Sequence, residues 1–150
     1  MMLQFIAALV LGLMCGSELN VAAFAHPTLN RQTLAVHIPV RSSIAAQLGR
    51  VMPFWMVGST LLNLLLLLRF ERLNTVSWRL AAIALAIQVA AVVFSLVGPV
   101  PINNRIAKWT TESLPNDWRN QEHSWDVHHG VRTLALIVAF ALLVLSVGLR

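Results

Sequence analysis

SWRLAAIALAIQVAAVVFSLVG, residues 77–98, carries one charge, Arg79, and one amide, Gln88, among apolar and small residues. A helix needs roughly 20 mainly apolar residues to cross a ~30 Å hydrocarbon core, so this stretch reads as a membrane span. Gly98, Pro99 and Pro101 are expected to break it. Three more stretches have the same character: about Leu3 to Ala25, about 51–70 (VMPFWMVGSTLLNLLLLLRF) and about 131–149 (VRTLALIVAFALLVLSVGL). Pro27 is expected to end the first by biasing His26 away from helical geometry. Composition agrees, with 57% hydrophobic residues, 11% charged and a mean hydropathy of +0.71. A soluble domain of 150 residues would expose far more charge.

The short connection between the second and third spans forces an antiparallel hairpin. No Pro/Gly/Ser-rich linker divides the chain, so residues 1–150 read as one all-α domain, a membrane-spanning antiparallel four-helix bundle. Loop one (about 26–50) and loop three (about 99–130) are long and fall on the same face. The tight turn near ERLNTVS and both termini fall on the other. Ser42 and Ser43 are placed to cap a helix through IAAQLGRV that runs into the second span, with Pro53 bending it. The opening MMLQFIAALVLGLMCGSEL lacks the basic n-region of a secretory signal, and its apolar character continues through NVAAFA. It therefore reads as a retained span.

The net charge of +5 and pI near 11.4 come from eleven Lys and Arg residues scattered at the ends of apolar runs. They form no continuous basic stripe, which argues for anchoring at lipid headgroups and against nucleic acid. Arg69, Arg72, Arg79 and Arg150 crowd the short-loop side, against Arg31, Arg41, Arg50, Arg105, Lys108, Arg119 and Arg132 on the long-loop side. Weighting by short segments places the termini in the cytoplasm. Trp55, Trp78, Trp109, Trp118 and Trp125 fall near span ends or in loop three and read as interfacial anchors. Cys15 stands alone, which excludes an internal disulfide or CxxC motif and leaves a packing residue.

Polar residues inside spans need a reason. Glu18 lies ~10 Å below the end of the first span. An acid near a helix centre costs around 2.5–3.5 kcal/mol on insertion scales, so Glu18 is expected to face a partner or water. The plainer alternative is a protonated Glu18 making one interhelical hydrogen bond. Asn20 is a weaker signal, and Asn63 and Gln88 read as amides bonding helix to helix. In QEHSWDVHHGVRT, residues 121–133, Glu122, Asp126, His129 and Thr133 recur on one helical face. Acid and imidazole on one face suit a first-row metal or an acid–base pair. A solvated, salt-bridged helix start is the plainer alternative, and the spacing matches neither HExxH nor a paired ExxH motif. Asn103 and Asn104 in GPVPINNRIAKW are turn residues by default, yet near His26 and the 122–133 cluster they could orient a carbonyl or hydroxyl. Together these positions outline a pocket with a wet mouth and a carboxylate floor. Glu18 and His26 stand ~12 Å apart along a straight helix, too far to share one ion without a bend.

The run VPINNRIAKWTTESLPNDW…SWDVHHGVRTLALIVAFALLVL resembles the anthrone oxygenase-like family of small four-helix membrane proteins. The likeness lies in its Pro-x-Asn-Asn segment, its long loop and its Trp-Asp-x-x-His-x-Val-Arg-Thr lead-in to the last helix. GSELNVAAFAHP resembles the family's first helix less specifically. The resemblance maps the family's histidine to His129, its arginine to Arg132 and its asparagines to Asn103 and Asn104. Characterised relatives oxidise anthrones, activated tricyclic phenols, to anthraquinones with molecular oxygen. The resemblance thus implies a membrane oxidoreductase of the oxygenase type acting on a small hydrophobic, phenolic or enolisable substrate. Glu18 or His129 would be the base, or a ligand to iron or copper. Arg132 with Asn103 would stabilise the oxyanion. Asn104, His26 and Trp125 would border the substrate, and the candidate metal ligands are His129, Asp126, Glu122 and His128. His128 stands where an aromatic residue is common, and His123 adds a third imidazole. Two other classes compete: a non-catalytic binding or assembly subunit and, with less support, a proton-coupled transporter. Small residues such as Ala81, Ala84 and Ala91 permit close helix contacts within the bundle or between subunits of a homo-oligomer.

Overall fold

The apolar runs fold as helices, and a computed structural model describes residues 2–70 and 75–149. In chain order they form α1 (Met2–Asn20), a π-helical turn (Val21–Ala25), α2 (His26–Leu29), α3 (Leu34–Leu68), α4 (Val76–Val97), α5 (Pro99–Ile106) and α6 (Trp118–Gly148). Among the described residues there is no strand. Four continuous stretches, Met2–Leu29, Leu34–Leu68, Val76–Val97 and Trp118–Gly148, are long and apolar enough to cross a membrane. α1 packs against α3 and α6, and α4 packs against the same two, which closes a four-membered bundle. The protein is therefore an all-α integral membrane protein. Thr75 caps α4, its hydroxyl accepting from the Trp78 N–H at 3.2 Å. The expected turn at ERLNTVS falls mostly on residues 71–74, which with Arg150 lie outside the described residues.

The stretch expected as loop one is mostly helix. Only residues 30–33 separate α2 from α3, so Ser42 and Ser43 are interior to a helix and cap nothing. Ser42 instead donates its hydroxyl to the Ala107 carbonyl at 3.0 Å, while the helix does run on into the second span. At 1.5 Å per residue α3 is about 52 Å long and α6 about 46 Å, against a hydrocarbon thickness of about 30 Å. Both therefore outrun a bilayer core. Their extensions, with α5 and residues 107–117, build a cap with its own apolar core around Val21, Ile38, Ile102, Ile106, Trp109 and Trp125. This is why Trp109 and Trp125, 5% and 3% exposed, pack inside and do not serve as interfacial anchors.

Pro27 does not end the first helix. His26 is helical (φ −68°, ψ −46°), and the helix continues to Leu29. A proline inside a helix lacks one N–H and crowds the carbonyl four residues back. The π-helical turn just before it, closed by the His26 N–H on the Val21 carbonyl, widens the helix by one residue and absorbs that conflict. Gly98-Pro99 likewise does two jobs. It ends α4 and starts α5 with proline in the first turn, where no N–H is missed. Asn103 and Asn104 thus lie on a helix, not a turn.

Among the described residues, Asn63 and Gln88 do not bond helix to helix. Both are buried; Gln88 donates only to Ala84 of its own helix at 3.4 Å, and neither polar atom of Asn63 has a partner. Close packing lower in the bundle rests on Gly12, where a Cβ would stand 2.9 Å from the Phe140 ring. Gly12→Leu is expected to cost about 1–3 kcal/mol by overpacking. The unfolding midpoint in detergent should fall, and Phe140→Ala in the same chain should recover part of it.

Candidate functional site

The polar residues of the spans meet at the cap end of the bundle in two linked groups. In the lower group, Glu18 from α1 is 1% exposed and faces Arg132 of α6. Arg132 Nη2 donates to both carboxylate oxygens, at 2.6 and 2.9 Å, and Nε donates at 3.1 Å. A two-pronged guanidinium–carboxylate pair is among the strongest side-chain contacts and answers the cost of burying either charge alone. His129, one turn before Arg132, bonds the Glu18 carbonyl through Nε2 at 3.1 Å. A carbonyl only accepts, so Nε2 carries the hydrogen and Nδ1 accepts from Arg132 Nη2 at 3.1 Å. Glu18 is therefore committed to holding Arg132, and both His129 nitrogens are taken, Nδ1 by Arg132 and Nε2 by the Glu18 carbonyl. Its remaining Nη1 reaches the Ser95 hydroxyl at 3.3 Å.

The upper group joins α2, α3 and α6. Asp126 Oδ1 accepts from His26 Nδ1 at 3.1 Å and from Arg41 Nη2 at 2.6 Å. Glu122 Oε1 lies 2.6 Å from His37 Nε2 and 3.5 Å from Arg41 Nε. His37 is pinned from its other side by the Leu29 carbonyl at 2.9 Å. His37 and Arg41 are absent from the site residues expected from the sequence, because they lie where a loop was expected. The available signal was their four-residue spacing, which matches the spacing of Glu122 and Asp126 on the facing helix. Asp126, Glu122 and His37 border a polar recess with Asn30, Gln32 and Arg119.

Trp125 links the two groups. Its ring stacks on His129 (4.5 Å, 15°), lies 4.9 Å from His26, and carries the Arg41 guanidinium 5.0 Å above it. Beside it, a cavity of about 180 Å³ opens between α3, α4 and α5, with walls that include Met52, Met56, Val92, Leu96, Trp125 and Arg132. Its rim includes Val57 and Leu96, 47% and 63% exposed on the lipid-facing surface. Asn103 donates through Nδ2 to the Ala45 carbonyl at 2.8 Å, which leaves Oδ1, an acceptor, buried and without a partner.

Of the residues expected at the site, Glu18, His129 and Arg132 come together, and Asn103, Asn104, Trp125 and Arg132 border the cavity. His26 borders a smaller void beside it. The four candidate metal ligands do not converge. Asp126 turns to His26 and Arg41, Glu122 to His37, and His129 to Glu18, while His128 stacks on Phe94 at 5.6 Å. Among the described residues no three His, Cys, Asp or Glu side chains gather as a metal would require. The donors here are spent on one another, so this arrangement does not fit an ion.

The family model described as anthrone oxygenase matches residues 41–142, about two thirds of the chain. No curated protein and no solved structure matches it.

Proposed function

The chain belongs to the anthrone oxygenase family, and from that footing we propose that it oxidises a small hydrophobic, phenolic or enolisable substrate with molecular oxygen in the cavity beside Trp125. The observation that carries this reading is the cavity itself. It is lined mainly by apolar side chains, includes the exposed Val57 and Leu96 in its walls, and has a buried guanidinium among them. In the proposed reaction an activated methylene loses a proton, and the resulting carbanion bonds dioxygen to give a hydroperoxide. The O–O bond then breaks as the second C–H proton leaves. One oxygen stays as the ketone and the other departs as water, so that R2CH2 + O2 gives R2CO + H2O with no further reductant.

Negative charge develops on the substrate oxygen when the first proton leaves. Arg132 Nη1 and the unpartnered Trp125 Nε1 are the donors available to it. Asn103 takes a different role from the expected one, because its free atom is an acceptor and suits a phenolic hydroxyl. Glu18 and His129 act as positioning residues that fix Arg132.

Purified protein in detergent, given anthrone, is expected to consume oxygen and form anthraquinone. Binding seen as tryptophan quenching without oxygen uptake would favour the binding-subunit reading. Val92→Phe places a ring in the cavity and is expected to raise KM about tenfold or more, since one methylene of misfit already costs roughly 10–200-fold. Leu134→Phe, on the exposed face of α6, should leave KM unchanged.

A further inference from the structure

We propose that His26 is the general base of this site and that Asp126 steadies the imidazolium that forms, beside the polar recess at the cap surface. This rests on the reading above for the substrate and the cavity. His26 is 3% exposed. Its Nδ1 faces a carboxylate oxygen that can only accept, so Nδ1 carries the hydrogen and Nε2 holds the lone pair. That Nε2 is buried and has no partner. The other two candidates lack this property: the Glu18 carboxylate is held by Arg132, and both His129 nitrogens are bonded.

The lone pair borders a void with Arg41, Asn103 and Trp125. Each of these also keeps one buried polar atom without a partner: Arg41 Nη1, Asn103 Oδ1 and Trp125 Nε1. Four such unpaired atoms are unusual, since buried polar groups are otherwise almost always paired. The void itself is closed to a water in this structure, so substrate reaches Nε2 only where the walls shared with the cavity give way. Leu48, Asn103 and Trp125 border both this void and the large cavity. Arg132 borders only the cavity, and His26 only the void. In an anthrone the methylene that loses its proton and the oxygen that gains charge lie across the central ring from each other. His26, 4.9 Å from the Trp125 ring, and Arg132, on the cavity wall that Trp125 also borders, supply a base and an oxyanion donor for those two ends.

The new charge has a partner. When Nε2 takes the proton, His26 becomes a cation beside the Asp126 carboxylate, the pairing by which an aspartate orients and steadies a catalytic imidazole. The Asp126 side chain is 30% exposed and lines the polar recess on its other side.

The test is deuterium uptake from D2O into the methylene of anthrone, followed by mass spectrometry under anaerobic conditions, so that proton transfer is read without oxidation. The wild-type protein is expected to accelerate exchange over buffer. His26→Gln should remove about 100-fold or more of that acceleration, the range of general base catalysis, with anthrone binding and helical circular dichroism retained. Asp126→Asn should slow exchange as well, because an amide can hold the imidazole in the other tautomer, whereas His128→Gln should not. Wild-type exchange in His26→Gln, or no acceleration by the wild type, overturns the proposal. Exchange that depends on His26 in a protein that never consumes oxygen supports the base and overturns the oxygenase reading. Oxidation that survives His26→Gln does the reverse.

Discussion

Glu18→Gln is expected to cost about 3–5 kcal/mol of stability, the usual penalty for removing one partner of a buried ion pair. The size follows from what is left behind. Arg132 is 6% exposed, and three of its contacts with Glu18 lie within 3.1 Å. A neutral amide offers one acceptor where the carboxylate offered two, and the guanidinium charge stays buried without a counter-charge. Oxygen uptake should fall too, because Arg132 no longer has a fixed direction. Pairing Glu18→Leu with Arg132→Met should restore most of the stability and none of the activity, since buried ion pairs replaced by apolar residues of similar volume are often neutral or better. Thermal unfolding in detergent of the single and double variants checks this. Additive losses would mean that the two side chains do not act as a pair.

The four spans were legible because a membrane helix announces itself by composition alone over about 20 residues. The face shared by Glu122, Asp126, His129 and Thr133 was legible for a related reason, since a helical lead-in fixes the direction of each side chain. The site was harder. Sequence places Glu18 and Arg132 in different spans, and nothing local says that they meet. Residues 26–50 misled because Pro27, Pro39, Ser42 and Ser43 are breaker or cap types, yet a π-helical turn and tertiary packing carry helix through them. Losing that helix meant losing His37 and Arg41, the partners of Glu122 and Asp126. The metal reading failed to anticipate them for the same reason. An acid–imidazole cluster looks like a ligand set until the facing helix supplies an arginine and another histidine to occupy it.

Trp125 shows how far position can mislead about role, and its replacement separates stability from function. Read from sequence it is an aromatic residue near a span end. In the fold it is 3% exposed, touches His26, His129 and Arg41, and borders both the cavity and the void. Trp125→Ala is expected to cost about 3–5 kcal/mol, as large aromatic truncations do when the space cannot collapse. Here the neighbours are two paired imidazoles and a salt-bridged arginine, which cannot move in without breaking their own bonds. Trp125→Phe keeps an aromatic face for His129 and Arg41, and should cost less than Trp125→Ala because it leaves a smaller cavity. The phenyl ring gives up the second ring of the indole and with it the N–H, which has no partner among the described residues. If that N–H meets the substrate oxygen as charge develops, Trp125→Phe should lower kcat about 100-fold or more, the effect of deleting one oxyanion donor. Unfolding midpoints and anthrone turnover on the two variants decide it. A phenylalanine variant with both stability and turnover near wild type would leave Arg132 as the sole donor on that wall and make Trp125 a packing residue.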